Sequence, residues 1–200
     1  ILLVGHEGHE EVVGTMGEAP DAMVLVEDSA DAERVTVPEN DRLVWLSQTT
    51  LSVDETLATV GALKERFPHL VSPPSDDICY ATQNRQDAVK LLSPQVDVVI
   101  VVGSPNSSNS NRLREVAVNR GVRAYMVERA EELQPQWLAG AARVGVTAGA
   151  SAPELLVREV VARLRELGAR SVRDLDGVVE KIVFPMPKGL AAGNKAPETG

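Results

Sequence analysis

The sequence predicts an α/β fold of two similar units, each a mostly parallel sheet with flanking helices. Three observations carry that expectation. Short Val-rich apolar runs alternate with amphipathic stretches as far as Gly168. Several of those runs, Val96–Val102 above all, are apolar on both faces, as strands covered by helices on each side must be. Near the middle, Val71-Ser72-Pro73-Pro74-Ser75 interrupts the alternation, because two prolines remove backbone donors and resist both helix and central strand.

Strands are expected at Ile1–Val4, Ala22–Val26, Leu43–Leu46, Val96–Val102, Val122–Val127 and Arg143–Thr147. Ser52-Val53-Asp54-Glu55 reads as a capping box, opening a helix to about Arg66 that stops before Pro68. Ile78, Ala81, Ala88, Leu91 and Leu92 fall at helical spacing, so Ile78 to Leu92 is a second helix. A third runs from Arg112 to Arg120 and ends at Gly121. Ser151-Ala152-Pro153-Glu154 reads as another capping box, with Ser151 as the cap of a helix to Gly168. The expected divisions are residues 1–72, 76–168 and a tail, 169–200. The tail holds one apolar run, Ile182-Val183-Phe184, then Pro185-Met186-Pro187 and a polar stretch, Gly189 to Gly200, expected to be disordered.

Apolar residues make up 44% of the chain, enough for a real core, and charged residues 24%. A net charge of −9 argues against a nucleic-acid partner, which needs a basic face to displace counterions. A small anion could still bind locally through backbone N–H groups and hydroxyls. No apolar run approaches the ~20 residues of a membrane span, so no membrane partner is expected. The single cysteine excludes an internal disulfide framework and fits a reducing cytoplasm. Ile1-Leu2-Leu3-Val4 opens as a buried-strand run with no initiator methionine, which reads as a partial sequence.

Chemistry in an open α/β sheet gathers beyond the carboxyl ends of strands. The first such junction is Gly5-His6-Glu7-Gly8-His9-Glu10-Glu11, where glycines allow a tight turn and His and Glu supply proton-transfer groups. Zinc ligation by His6, His9 and Glu11 is the alternative, but the spacing is not His-Glu-x-x-His. The second, Ser47-Gln48-Thr49-Thr50-Leu51-Ser52, offers neutral donors before a helix; plain N-capping explains Ser52. The third, Gly103-Ser104-Pro105-Asn106-Ser107-Ser108-Asn109-Ser110-Asn111, is the most informative. A hydroxyl- and amide-rich loop running into a helix N-terminus can cradle phosphate oxygens, yet it lacks the Gly-Lys-Ser/Thr ending of a P-loop. The fourth, Ala148-Gly149-Ala150-Ser151, is no nucleophile elbow, since Gly-x-Ser-x-Gly is absent. Cys79 stands alone at a helix start, where composition allows an inert thiol or a metal ligand.

These motifs in order resemble the 4-hydroxy-3-methylbut-2-enyl diphosphate reductase family. Gly5 to Gly17 is similar to its GHxGHxEVxGTxG signature, and Gln48 to Ser52 to its QTTLS segment. Asp76 to Gln86 resembles DDICYATxNRQ, Gly103 to Leu113 resembles GSxNSSNSNRL, and Gly145 to Glu154 resembles GVTAGASAPE.

The resemblance implies an enzyme that reduces (E)-4-hydroxy-3-methylbut-2-enyl diphosphate to isopentenyl and dimethylallyl diphosphates in the methylerythritol phosphate pathway. It implies three pseudo-symmetric α/β domains around a [4Fe–4S] cluster held by three cysteines, Cys79 matching one of them. Glu11 matches the acid that relays protons and Thr49 its hydrogen-bonded helper. His9, Gln48, Thr50, Ser107, Ser108, Asn109 and Ser151 match the diphosphate pocket. No flavin or nicotinamide fingerprint is visible, so electrons are expected from an external donor such as ferredoxin or flavodoxin. The chain departs from the pattern in having one cysteine. It matches the second and third domains and the tail, so the fragment alone is expected to be inactive. A cluster-free diphosphate-binding module is the alternative.

Overall fold

The computed structural model describes residues 1–38, 42–74, 77–178, 183 and 185–186. Two three-stranded parallel sheets form its frame. In the first, β1 (Leu2–Val4) lies between β2 (Val24–Val26) and β3 (Trp45–Ser47), with Leu3 in register with Leu25 and Leu46. In the second, β4 (Val98–Val102) lies between β5 (Arg123–Val127) and β6 (Val144–Ala148), with Ile100 in register with Tyr125 and Val146. The central strands are those read as apolar on both faces, and every residue of both is buried.

The helices are α1 (Glu10–Glu18), α2 (Ser29–Arg34), α3 (Val53–Arg66), α4 (Tyr80–Leu92), α5 (Ser108–Asn119) and α6 (Glu154–Glu166). One apolar cluster, including Leu2, Val4, Val26, Val60 and Leu63, belongs to the first sheet. The second sheet is packed on both sides. Val98, Ile100 and Val102 meet Val160 and Leu164 of α6, while Val99 and Val101 meet Val89 of α4 and Leu113 of α5. Alternating faces of one strand therefore serve two layers, which explains the unbroken apolar run.

The two units repeat each other beyond their strand order. Gly5 N donates to Val26 O at 3.1 Å, and Gly103 N to Val127 O at 2.9 Å. Gln48 N donates to Val4 O at 2.8 Å, and Gly149 N to Val102 O at 2.9 Å. A Cβ at Gly5 would lie 2.5 Å from Val12 Cγ2, and one at Gly103 would lie 2.2 Å from Ser110 Oγ. In each unit the helix that follows the central strand thus passes so close to that strand's end that only glycine fits there.

Several expectations are corrected. No helix is expected from the sequence between Gly5 and Gly17, yet α1 begins at Glu10, capped by His9, whose Nδ1 accepts from Glu11 N at 3.2 Å. Two glycines and two valines give that segment weak helix propensity, and burial of Val12 against Gly5 overrides it. The short α2, capped by Asp28, was also unread. Helix α5 starts at Ser108, before the expected Arg112, because Ser107 Oγ accepts from Ser110 N at 3.2 Å and nucleates the turn early. Helix α4 starts at Tyr80 with Cys79 as its cap position, not at Ile78. Strand β3 is displaced toward Ser47 from the expected Leu43–Leu46.

Ser52 does cap α3, its oxygen accepting from Glu55 N at 3.3 Å. Ser151 does not cap α6. The cap position is Pro153, without a side-chain hydrogen bond; it lies four positions after Gly149, as Ser52 lies four after Gln48. Around the expected boundary, Val71 forms a parallel bridge with Val44, and Trp45 Nε1 donates to Ser72 Oγ at 3.1 Å. Ser75, Asp76, Ile182, Phe184 and Gly189 to Gly200 lie outside the described residues. From 169 to 178 the chain has neither helix nor strand. No helix among the described residues is long and apolar enough to cross a membrane.

Candidate functional site

Glu11 occupies the first turn of α1. Thr49, just after β3, holds that carboxylate. Its main-chain N–H lies 3.0 and 3.1 Å from the two oxygens, and its hydroxyl donates to Oε2 at 3.1 Å. His9 stands two residues away at the cap of the same helix. A His ring whose Nδ1 accepts from a backbone N–H carries its proton, when neutral, on Nε2.

Gln48 is fully buried and uses both ends of its amide. Its Oε1 accepts from His6 N at 3.1 Å, while its Nε2 lies 3.0 Å from Thr50 Oγ1 and 3.3 Å from Ser108 Oγ. Thr50 Oγ1 donates to Ser108 Oγ at 2.9 Å. Ser108 is the first residue of α5, so these bonds join the loop after β3 in one unit to a helix N-terminus in the other. A helix start leaves its first backbone N–H groups without intrahelical acceptors, and no Lys or Arg occurs from Gly103 to Asn111.

Beside Ser108, Asn109 is buried with Oδ1 lacking a hydrogen-bond partner among the described residues. Such an orphan costs free energy unless water or a ligand supplies its partner. Ser110 is buried where the Cβ atoms of Gly103 and Gly149 would be, which places the loop after β6 against the start of α5. Ser107 stays occupied with capping and accepts from Ser110 Oγ at 3.0 Å. Ser151 lies exposed two residues beyond Gly149, and no hydrogen bond ties it to the other candidates among the described residues.

Cys79 joins the same region through its backbone, with N donating to Thr49 O at 3.0 Å. It is exposed at the start of α4. It is the only cysteine of the chain, and among the described residues no three His, Cys, Asp or Glu converge as a metal-binding group. A four-iron cluster takes several thiolates, so the residues of this chain do not by themselves fit one. His6, His9 and Glu11 likewise form no such group, against the zinc alternative.

Three supporting residues lie in the quoted motifs but were not among the candidate site residues. Gln86 of α4 is fully buried, donating to Leu51 O at 2.7 Å and accepting from Val53 N at 3.0 Å, which fixes the loop between β3 and α3. Asp77 Oδ2 accepts from Ser47 N in a short contact. Ser110 is the third. The available signal was a polar residue at a position whose helical neighbours, Thr82 and Val89 for Gln86, are buried.

Residues 1–165 match the family model described as LytB protein. The chain belongs to the LytB protein family. A LytB-family relative named 4-hydroxy-3-methylbut-2-enyl diphosphate reductase, from Ralstonia nicotianae, is 62% identical over 190 residues, 95% of this chain and 59% of its own length. A second, 4-hydroxy-3-methylbut-2-enyl diphosphate reductase 2 from Burkholderia mallei, is 57% identical over 196 residues, 98% of this chain and 60% of its own length. The solved structure of the E-1-hydroxy-2-methyl-but-2-enyl-4-diphosphate reductase from Plasmodium falciparum matches with a TM-score of 0.78 at 38% identity, covering 80% of this chain and 51% of that one. The family resemblance read from the five motifs is borne out, as is the α/β arrangement of two parallel sheets. This LytB-family chain spans about 60% of the length of the curated relatives it matches.

Proposed function

We propose that this chain carries the diphosphate-binding and proton-delivering part of a 4-hydroxy-3-methylbut-2-enyl diphosphate reductase. The reaction removes an allylic hydroxyl as water and consumes two electrons and two protons. It leaves isopentenyl or dimethylallyl diphosphate. The observation that carries this reading is Glu11, a carboxyl group gripped by Thr49 beside a cluster of neutral hydrogen-bonding groups.

Hydroxide leaves carbon poorly, and protonation turns it into water. Glu11 serves as the general acid, with Thr49 fixing which oxygen faces the substrate. His9, Gln48, Thr50, Ser107, Ser108, Asn109 and Ser151 form the diphosphate pocket. Helix N-termini and hydroxyls suit phosphate oxygens without the desolvation cost of buried lysines.

Residues 1–72 and 76–168 are then the second and third of three pseudo-symmetric domains, with 169–200 as the tail. The family resemblance makes Cys79 one of three ligands of a [4Fe–4S] cluster, which would supply a Lewis-acid site and electrons. That role requires two further thiolates from outside these 200 residues. Electrons come from an external protein such as ferredoxin or flavodoxin, in the cytoplasm. The lone cysteine is also what favours the second reading, a diphosphate-binding module without catalysis.

Anaerobic assay of a protein that joins this chain to the remaining length of its relatives separates the two readings. With a reduced viologen dye as donor, conversion of the allylic substrate to five-carbon diphosphates supports the enzyme. Substrate binding without conversion, in a protein that takes up no cluster iron on anaerobic reconstitution, leaves the module.

A further inference from the structure

We propose that Arg112 is a positioning residue of the anion site, docking α5 onto the first unit and fixing the His6 loop so that Gln48 and Ser108 meet. The proposal rests on the reading of that cluster as a diphosphate site. The Arg112 side chain is only 11% exposed. One guanidinium nitrogen, Nη1, lies 3.0 Å from Glu55 Oε2 of α3 and 2.6 Å from Glu115 Oε2 of its own helix. The other, Nη2, lies 2.9 Å from His6 Nε2. Glu115 contributes nothing between units, but Glu55 and His6 both belong to the first unit.

These contacts close a ring. Arg112 meets the His6 ring, His6 N donates to Gln48 Oε1, and Gln48 Nε2 reaches Ser108 Oγ. Ser108 sits one turn before Arg112 on the same face of α5, so the ring returns to its start. Two candidate diphosphate residues, Gln48 and Ser108, thus lie in a circuit whose other two members are His6 and Arg112. Moving the His6 loop would release Gln48 Oε1 and with it the orientation of Nε2 toward Ser108.

The ring also fixes a proton. Guanidinium has donors and no acceptor, so in the neutral ring that makes this contact His6 Nε2 accepts and the proton sits on Nδ1. His9, whose Nδ1 accepts from Glu11 N, has the opposite tautomer when neutral. Lysine could not replace the arginine, because a single ammonium cannot meet Glu55 and His6 in the planar fork geometry. Arg112 Nε is buried with no partner among the described residues, a burial that costs stability and so is a poor device for stability alone.

The test uses the 200-residue chain and inorganic pyrophosphate as the probe. Affinity is measured by calorimetry for the native chain, Arg112→Ala, Ser108→Ala and the double variant, and ¹⁵N NMR reads the His6 tautomer. Arg112→Ala should weaken pyrophosphate by about fivefold, the worth of one lost hydrogen bond. The double variant should bind no worse than the weaker single, since Arg112 acts through Ser108. His6 should move its proton from Nδ1 to Nε2 while the amide ¹⁵N spectrum stays that of the folded chain, which separates the lost contact from unfolding. Should the alanine variant not fold, Arg112→Lys serves, with the same weakening and tautomer change expected. Native affinity in a folded Arg112 variant overturns the proposal, and so do effects that add fully with Ser108→Ala. If the native chain does not bind pyrophosphate, or Ser108→Ala binds it as tightly as the native chain, the diphosphate reading fails instead. The His6 tautomer then still decides the docking role, because an unchanged His6 in Arg112→Ala ends it.

Discussion

Thr49 grips the Glu11 carboxylate from two directions, with its main-chain N–H at 3.0 and 3.1 Å from the two oxygens and its hydroxyl at 3.1 Å from Oε2. Glutamine at position 11 keeps the shape and one acceptor oxygen, and the Thr49 hydroxyl can turn to accept from its NH₂. It cannot deliver a proton. In a full-length enzyme Glu11→Gln should therefore retain iron content and substrate binding yet lose about 10²–10⁴-fold in turnover. Thr49→Val, which keeps the backbone donor, should lose far less, about tenfold or under. Steady-state rates beside His9→Asn separate Glu11 from its neighbour as the acid. Turnover above about a third of normal in Glu11→Gln would lie outside the general-acid range and end the role.

The hydroxyl and amide at the start of α5 carry no charge, so their effect on a diphosphate should come from hydrogen bonds. Replacing Ser108 and Asn109 with alanine in the full-length enzyme should weaken substrate binding by about 1–3 kcal/mol for the pair. Direct binding measurements and KM should agree. Unchanged affinity in both removes the loop from the site.

Gly103 and Gly61 should respond oppositely to alanine. A Cβ at Gly103 would lie 2.2 Å from Ser110 Oγ and 2.7 Å from Ser110 Cβ, so Gly103→Ala should destabilise by about 1–3 kcal/mol through overpacking. Gly61 lies exposed within α3 with nothing within 4 Å of a new Cβ. Gly61→Ala should stabilise by about 0.5–1 kcal/mol through helix propensity. Urea unfolding of both variants checks the pair. Equal signs would contradict the packing argument.

Asp97 should make the chain sensitive to acid. Its carboxylate accepts from Arg143 N and Ala142 N, each at 2.8 Å, and these backbone bonds hold its pKa below the ordinary 3.8, with the charges of Arg143 and Arg123 adding to the effect. A depressed folded-state pKa gives stability that is fully present above the unfolded value and lost as pH falls through the folded one. Asp97→Asn should thus flatten the stability profile below about pH 4 while leaving its shape above pH 6 unchanged. Thermal unfolding across that range is the measurement; an unaltered acid limb would show that the bonds carry no linkage.

The isolated chain should not hold a stable [4Fe–4S] cluster, because Cys79 is its single thiol and is exposed. Anaerobic reconstitution followed by iron and sulfide analysis tests this. Four irons per monomer would refute it, unless chains associate and share their cysteines.

By itself the sequence determined the repeated strand plan, since valine runs apolar on both faces can only be buried under helices, as Val98–Val102 is. It also determined the α3 cap, because Ser52 and Glu55 interact within one turn and need nothing distant. The candidate residues were legible as polar runs at strand ends, but not their partners. Tertiary structure decided that Glu11 lies in a helix, through the fit of Val12 against Gly5, where local propensity pointed elsewhere. It decided that Ser151 is no cap, because the length of the turn after β6 puts Pro153 there. It also brought Glu11 to Thr49 and Gln48 to Ser108, pairs separated by 38 and 60 residues. Contacts at such separation depend on how parallel strands bring their carboxyl ends together, and no local pattern encodes that distance.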